Sequence, residues 1–251
     1  MLKAERQKNI LLSLKKNRLI KVSELSYKLN VTEMTIRRDL EELEAMNLLK
    51  RIHGGARSID FFPSKEYSHD QKKSINIEGK NKIAQLMVNI ISDDDIVYMG
   101  TGSTIEAVSK YLEDKKFKLV TNSLELFNSI KNNNNIESML IGGNYRPNTG
   151  AFVGKFASDV IRNLRFKIAF AGTNGVNEND IFTYNEEEGE VQKIALNNSM
   201  EKYIVADSSK MKHQDFLSYY KTENLDAIIS DNGISKEDID MIQSYTNLIY
   251  K

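Results

Sequence analysis

From about residue 79 to the end of the 251-residue chain, short β-branched runs alternate with stretches of helical periodicity. No other feature restricts the fold as much. The runs are Asp95-Ile96-Val97-Tyr98-Met99, Phe117-Lys118-Leu119-Val120-Thr121, Glu137-Ser138-Met139-Leu140-Ile141, Lys167-Ile168-Ala169-Phe170-Ala171, Tyr203-Ile204-Val205-Ala206 and Asp226-Ala227-Ile228-Ile229, with a last one at Asn247-Leu248-Ile249-Tyr250. Helical patterns between them cover roughly 79–91, 103–112, 123–131, 155–163, 188–200 and 236–243. Strands separated by helices, not by tight turns, pair in parallel, so an open α/β sheet with crossover helices is expected. The run Asn132-Asn133-Asn134-Asn135 reads as a loop.

Ligands of such sheets sit beyond the carboxyl ends of the strands, so the residues that follow each run are the candidates. After the first run, Gly100-Thr101-Gly102-Ser103-Thr104 leads straight into a helix. Glycines there permit close backbone approach, hydroxyls donate, and the amino end of a helix favours an anion such as phosphate. Asn122 and Ser123 follow the second run, Gly142-Gly143 and Arg146 the third, Gly172-Thr173-Asn174-Gly175 the fourth, and Asp207-Ser208-Ser209-Lys210 the fifth. Together these loops predict a site for a small phosphorylated polyol. Its contacts would be Gly100, Thr101, Gly102, Ser103, Thr104, Asn122, Ser123, Gly143, Arg146, Asn174, Asp207 and Lys210, with Glu188 added from the acidic helix start Glu186-Glu187-Glu188-Gly189-Glu190. The first loop is neither a P-loop nor a dinucleotide-binding turn.

Composition removes several chemistries. The chain has no Cys, which excludes a disulfide scaffold, thiolate catalysis and Cys-ligated zinc. Asp93-Asp94-Asp95 reads as a solvated turn, not a metal site, and His69 and His213 lie far in sequence from any paired ligand. No G-x-S-x-G or H-E-x-x-H is present, so no catalytic residue, metal or cofactor is expected. No run approaches the ~18 apolar residues of a membrane span. The first residues, MLKAERQKNILLSLKKN, are charged where a signal peptide is apolar. A cytoplasmic protein without a membrane partner is the expectation.

A net charge of zero conceals a division. Residues 1–58 carry 13 Lys/Arg against 7 Asp/Glu, a net of +6, which leaves −6 on the remainder. A basic end on an acidic chain suits a polyanionic partner. Its pattern is specific. Residues 3–16 read as a helix and Leu19-Ile20 as a short extended piece. Ser23 would cap a second helix bearing Leu25 and Leu29, and Asn30-Val31-Thr32 would turn the chain. Thr32 would then cap a third helix over 33–46, with Ile36, Leu40 and Leu43 inward.

Two short helices joined by such a turn form a helix-turn-helix, whose second member reads the DNA major groove from its amino end. Here that end holds Glu33, Thr35, Arg37 and Arg38. Arg can bond guanine or hold phosphate, and Thr can meet a thymine methyl. Leu48 to Arg57 then predicts a basic hairpin turning at Gly54-Gly55, a wing with Lys50, Arg51, His53 and Arg57 near the sugar-phosphate backbone. The organisation expected is a winged helix-turn-helix domain at 1–58, a linker at 59–78 and an α/β sensor domain at 79–251.

The run Val31-Thr32-Glu33-Met34-Thr35-Ile36-Arg37-Arg38-Asp39-Leu40, followed by Ile52-His53-Gly54-Gly55-Ala56, resembles the DNA-binding signature of the DeoR-type bacterial repressors. The later runs Val120-Thr121-Asn122-Ser123, Ala151-Phe152-Val153-Gly154 and Ala206-Asp207-Ser208-Ser209-Lys210 are similar to their sensor domain. Lys65-Glu66-Tyr67-Ser68-His69 and the stretch Ala195 to Tyr203 resemble its lactose-type members.

The resemblance implies a homo-oligomeric repressor, dimeric or tetrameric, that binds double-stranded operator DNA at sugar-catabolism genes. Its sensor would have the fold of ribose-5-phosphate isomerase and take a phosphorylated sugar, tagatose 6-phosphate or fructose 1-phosphate. Many members carry Lys where this chain has Gln192, and the lactose-type members tend to have Gln. The alternative is a sugar-phosphate isomerase with an accessory nucleic-acid-binding domain. Glu188 and Asp207 would be its carboxylates, but Gln192 is neither acid nor base and no lysine is clearly placed.

Overall fold

A left-handed asparagine and a threonine cap organise the amino-terminal part of the chain. The computed structural model describes residues 3–17, 19–46, 48–52, 54–57, 66 and 68–251, and the chain divides into two compact units, Met1–Ser64 and Lys65–Lys251. The first contains α1 (Lys3–Asn17), β1 (Leu19–Lys21), α2 (Val22–Leu29), α3 (Glu33–Ala45), β2 (Lys50–Ile52) and β3 (Gly55–Arg57). Helix α2 stops at Asn30, whose φ of 51° is a left-handed conformation that asparagine tolerates. Thr32 then accepts from the Thr35 amide at 3.3 Å and starts α3.

Ile10, Leu14, Leu25, Leu29, Ile36, Leu40 and Leu43 meet in one core, so α1, α2 and α3 bury one face each. Strands β2 and β3 form an antiparallel hairpin that extends onto β1. A side chain at Gly55 would stand 2.1 Å from the Ile20 carbonyl oxygen, so only glycine lets these strands approach. Ser23 does not cap α2. The helix starts two residues earlier than that cap requires, at Val22 after Lys21, and the Val22 amide donates to the Gly54 carbonyl at 2.9 Å.

The second unit opens with α4 (His69–Lys73) and α5 (Ile77–Ile90), followed by β4 (Ile96–Met99), α6 (Ser103–Glu106) running on as a 3-10 turn, β5 (Phe117–Thr121), α7 (Leu124–Ile130) and β6 (Ile136–Leu140). Next come the hairpin β7 (Asn144–Arg146) and β8 (Ala151–Val153), α8 (Lys155–Arg162), β9 (Phe166–Gly172), β10 (Gly175–Asn177), β11 (Asp180–Thr183), α9 (Glu186–Asn197) and β12 (Ser199–Val205). The unit closes with β13 (Leu217–Lys221), β14 (Ala227–Ile229), α10 (Lys236–Gln243) and β15 (Asn247–Ile249).

Seven strands make one parallel sheet in the order β15-β14-β12-β9-β4-β5-β6. Alternate residues feed two cores. On β4, Val97 and Met99 pack with Ile83 and Met87 of α5, whereas Tyr98 packs with Ile161 of α8 and Val191 of α9 on the opposite face. Both faces are therefore covered, which is why these strands are almost continuously apolar. The chain runs outward from β4 to β6 and then returns to place β9 on the other side of β4. The sheet order reverses there, and a crevice opens at the carboxyl ends.

Two expectations are corrected. The helix expected over 188–200 ends at Asn197, because Ser199 already pairs with Phe166 in the sheet. The expected linker at 59–78 lies partly outside the described residues, and its described part is not a linker: it belongs to the second unit and forms α4 and the start of α5. Ser68 and Gln71 close a reciprocal capping box on α4, a two-residue signal that holds a helix too short for periodicity to reveal.

Candidate functional site: a reading head and a polar cleft

On α3, Ile36 is fully buried, which turns Arg37 and Arg38 outward. Arg37 Nη2 lies 3.2 Å from Glu33 Oε2, a solvent-exposed pair one turn apart, and Thr35 Oγ1 lies 2.9 Å from Thr32 Oγ1. Arg38 makes no hydrogen bond or ion pair among the described residues. In the hairpin, Lys50 and Arg51 are exposed beside Gly54, and Arg51 Nη1 reaches Glu41 Oε1 at 3.1 Å. Arg57 is half-buried, Ser23 is exposed within the first turn of α2, and His53 lies outside the described residues.

The position that sequence reasoning passed over is Asp39. It is 2% exposed and is gripped by Arg6 of α1, through Nε and, at 3.1 Å, through Nη2. A two-point grip of this kind fixes the roll of α3 and with it the direction of Arg37 and Arg38.

In the second unit, a cleft of about 720 Å³, its open mouth included, lies where the sheet order reverses. The loop after β4 contributes Thr101, Gly102, Ser103 and Thr104, the loop after β9 Gly172, Thr173 and Asn174, and the loop after β12 Asp207 and Lys210. Helix α9 adds Glu188 and Gln192, and Thr149 comes from the turn after β7.

His69, Lys72, Ile75 and Lys80 complete the wall. His69, Lys72 and Ile75 fall in the segment expected as a linker and Lys80 in the helix expected over 79–91, and nothing local in these residues announces a site. Of the three lysines at this cleft, Lys210 is the one expected from the sequence, and the fold adds Lys72 and Lys80.

The charges are tightly organised. Lys80 is 5% exposed and donates to the Lys72 carbonyl and, at 2.6 Å, to the Ile75 carbonyl. Lys72 Nζ bonds Asn174 Oδ1 at 3.0 Å, while Lys210 Nζ bonds no protein group among the described residues. Burial lowers the pKa of Lys72 and of Lys80; Asp207 opposes this at Lys80, whereas Lys210 and Lys72 add to it. These cations repel one another across the cleft, and an anion would relieve that repulsion.

Burial raises the pKa of Glu188 against the bond from Thr149 and the charge of Arg146. Arg146 Nε holds Glu188 Oε1 at 3.0 Å and its Nη2 holds Glu66 at 2.7 Å. Asp207 Oδ1 accepts from Asn76 and Ser209, and its Oδ2 is buried without a partner. His69 Nε2 is 2.6 Å from Glu106, which raises the histidine's pKa.

Five expected contacts do not line the cleft. Gly100 continues the sheet ladder with its amide on the Phe170 carbonyl. Asn122 is consumed by Tyr98 Oη and the Phe152 carbonyl, each at 2.9 Å. Ser123 caps α7, and Gly143 serves packing, since a side chain there would lie 2.5 Å from the Val153 carbonyl oxygen. Arg146 stands behind Glu188 and positions it.

Residues 75–232 match the family described as the DeoR C terminal sensor domain, and residues 6–61 match the DeoR-like helix-turn-helix domain. The chain belongs to the DeoR family. It is 38% identical to the lactose phosphotransferase system repressor of Lactococcus lactis subsp. lactis, over 99% of both chains, and 36% identical to the protein of that name from Streptococcus mutans, over 99% of this chain and 100% of that one. Among solved structures it matches ribose-5-phosphate isomerase A from Methanocaldococcus jannaschii with a TM-score of 0.40 and 21% identity, over 54% of this chain and 55% of that one.

As in the DeoR family descriptions, a helix-turn-helix domain precedes a sensor domain, here built on the parallel seven-stranded sheet. Among the described residues no helix is long and apolar enough to cross a membrane, and no three His, Asp or Glu side chains gather as metal ligands.

Proposed function

We propose that this DeoR-family protein is a cytoplasmic repressor of sugar-catabolism or phosphotransferase-system genes that releases its operator when a phosphorylated sugar fills the cleft. The observation that carries this reading is the convergence of Lys72, Lys80 and Lys210 with Glu188 and Asp207 on one crevice of a chain that also carries a helix-turn-helix. Ammonium groups suit a phosphate, and paired carboxylates and amides suit sugar hydroxyls. The relatives named as lactose phosphotransferase system repressors support a sugar-system regulator, and the effector we propose is tagatose 6-phosphate, with fructose 1-phosphate as its competitor. A homodimer or tetramer would set two reading heads on paired half-sites. The effector must favour a conformation with weaker operator affinity, by a coupling of ~1–3 kcal/mol.

The cleft is read as a sensor, not as an isomerase site. Gln192 on its floor cannot carry a proton between carbons, and Lys80 is engaged by two backbone carbonyls. The decisive experiment measures binding of the purified protein to DNA from upstream of its own gene at fixed salt, because phosphate contacts make affinity strongly salt-dependent. A panel of sugar phosphates is then titrated into the complex. Selective release by one of them is the expected result. Specific binding that no sugar phosphate disturbs removes the sensor assignment, and steady turnover of any of them replaces it with the isomerase.

A further inference from the structure

Gln192 occupies a particular place in the cleft. It projects from α9 to the floor between the ends of β4 and β9, is 4% exposed, and its Oε1 accepts the Gly172 amide at 2.8 Å. A side chain built at Gly100 would meet the same Oε1 at 3.4 Å, which places the amide against both strand ends. A backbone N–H only donates, so the atom facing Gly172 must be the oxygen and the opposite atom must be the NH₂. The Gly172 carbonyl is held in turn by Tyr219 Oη at 2.7 Å, so the anchor is itself fixed. Among the described residues Nε2 donates to no protein group.

We infer that Gln192 is a specificity-determining residue: its pinned NH₂ donates to an uncharged oxygen, the carbonyl or a hydroxyl, of the sugar-phosphate ligand. This rests on the sensor reading of the cleft. The cations of the cleft lie on the segment 72–80 and at Lys210, so the phosphate belongs with them and the floor is left for a neutral part of the ligand. A neutral donor discriminates where a cation would not. It satisfies a ketose oxygen fully, and it gives a carboxylate at the same place no charge to pair with.

The test is calorimetric titration of the full-length protein with tagatose 6-phosphate, fructose 1-phosphate, 6-phosphogluconate and inorganic phosphate. If wild type binds neither ketose phosphate, the sensor reading fails and this inference falls with it. If one binds, Gln192→Met should weaken it by about tenfold or more, the consequence of losing a buried donor, with inorganic phosphate unchanged. Gln192→Glu retains the acceptor for Gly172 and should show the same loss. Gln192→Lys should raise affinity for 6-phosphogluconate relative to the ketose phosphate, whereas a purely structural defect lowers both alike. Unchanged ketose-phosphate affinity in Gln192→Met and Gln192→Glu overturns the inference while the sensor reading stands. A further arm needs no variant: in wild type, the Gln192 side-chain amide protons should shift and exchange more slowly when the ketose phosphate is added. Absence of that response overturns the inference by itself.

Discussion

The two units handle charge in opposite ways. In the first, Arg37, Arg38, Lys50 and Arg51 stand in solvent, and the part-buried ion pair there, Arg6 with Asp39, is closed on itself. In the second, Lys72, Lys80, Glu188 and Asp207 are withdrawn from bulk water around a cleft, with one oxygen of Asp207 left unpartnered. A long polyanion meets an exposed surface, so its cations are kept hydrated until contact, at little cost to folding. A small anion would have to be enclosed, and here the fold already holds like charges together, with Asp207 Oδ2 desolvated and unpartnered. The difference separates stability from function: removing a charge from the closed Arg6–Asp39 pair should harm folding, whereas removing a cation from the cleft should harm ligand binding.

Asp39→Ala would test this with the largest effect. It leaves the half-buried Arg6 guanidinium without its partner, and calorimetry should show the first unit losing ~1.5–3 kcal/mol of stability, the scale of hydrogen bonds to charged groups. A change within ±0.5 kcal/mol, the range of ordinary surface substitutions, would mean that the pair does not hold α3.

Lys72→Met should do the reverse in the second unit. Desolvation of Lys72 is relieved, so unfolding temperature holds or rises, while sugar-phosphate affinity falls by ~1.5–3 kcal/mol, the scale of a charged hydrogen bond. A fall in stability without a fall in affinity would merge the two units' behaviour.

Arg38→Ala should weaken operator binding by ~1–3 kcal/mol if the side chain reads a base, with effector affinity preserved; the same direction is expected for Arg37→Ala. Operator affinity unchanged in both would remove α3 as the reading helix.

The His69–Glu106 pair gives a pH signature. Its bond to Glu106 raises the folded-state pKa of His69 above the ordinary 6.5. Its stabilisation is therefore complete below that ordinary value and is lost as pH rises through the raised one. Unfolding temperature of the second unit, followed from pH 5 to 9 against His69→Gln, should converge with the variant at the alkaline end. Parallel curves would mean that the pair contributes nothing to folding.

Lys50→Ala should have the smallest effect, a modest and sequence-independent loss of DNA affinity with the salt slope reduced by about one.

The long α/β elements were legible because each satisfies its own rule. The strand runs Ile96–Met99 and Phe117–Thr121 and the helix Lys236–Gln243 fall within a residue or two of expectation. The Thr32 cap and the inward Ile36 of the reading helix were equally local. The short pieces were not legible. Helix α4 has five residues and the strands of the β7–β8 and β10–β11 hairpins three or four, too few for any period to show. With α4 went half of one wall of the cleft.

Side-chain allocation was equally hidden. Asn122 and Arg146 had the right chemistry in the right loops, yet Tyr98 claims the first and Glu66 and Glu188 claim the second. Local periodicity and turn chemistry act over a few residues and are written in the chain, so they determined the helix-turn-helix, the parallel strands and the loops that line the cleft. Which polar atoms remain unpaired depends on partners tens of residues away, as with Lys72 and Asn174 or Asn76 and Asp207. Burial makes each of those pairings consequential, and burial exists only once the sheet has closed its layers.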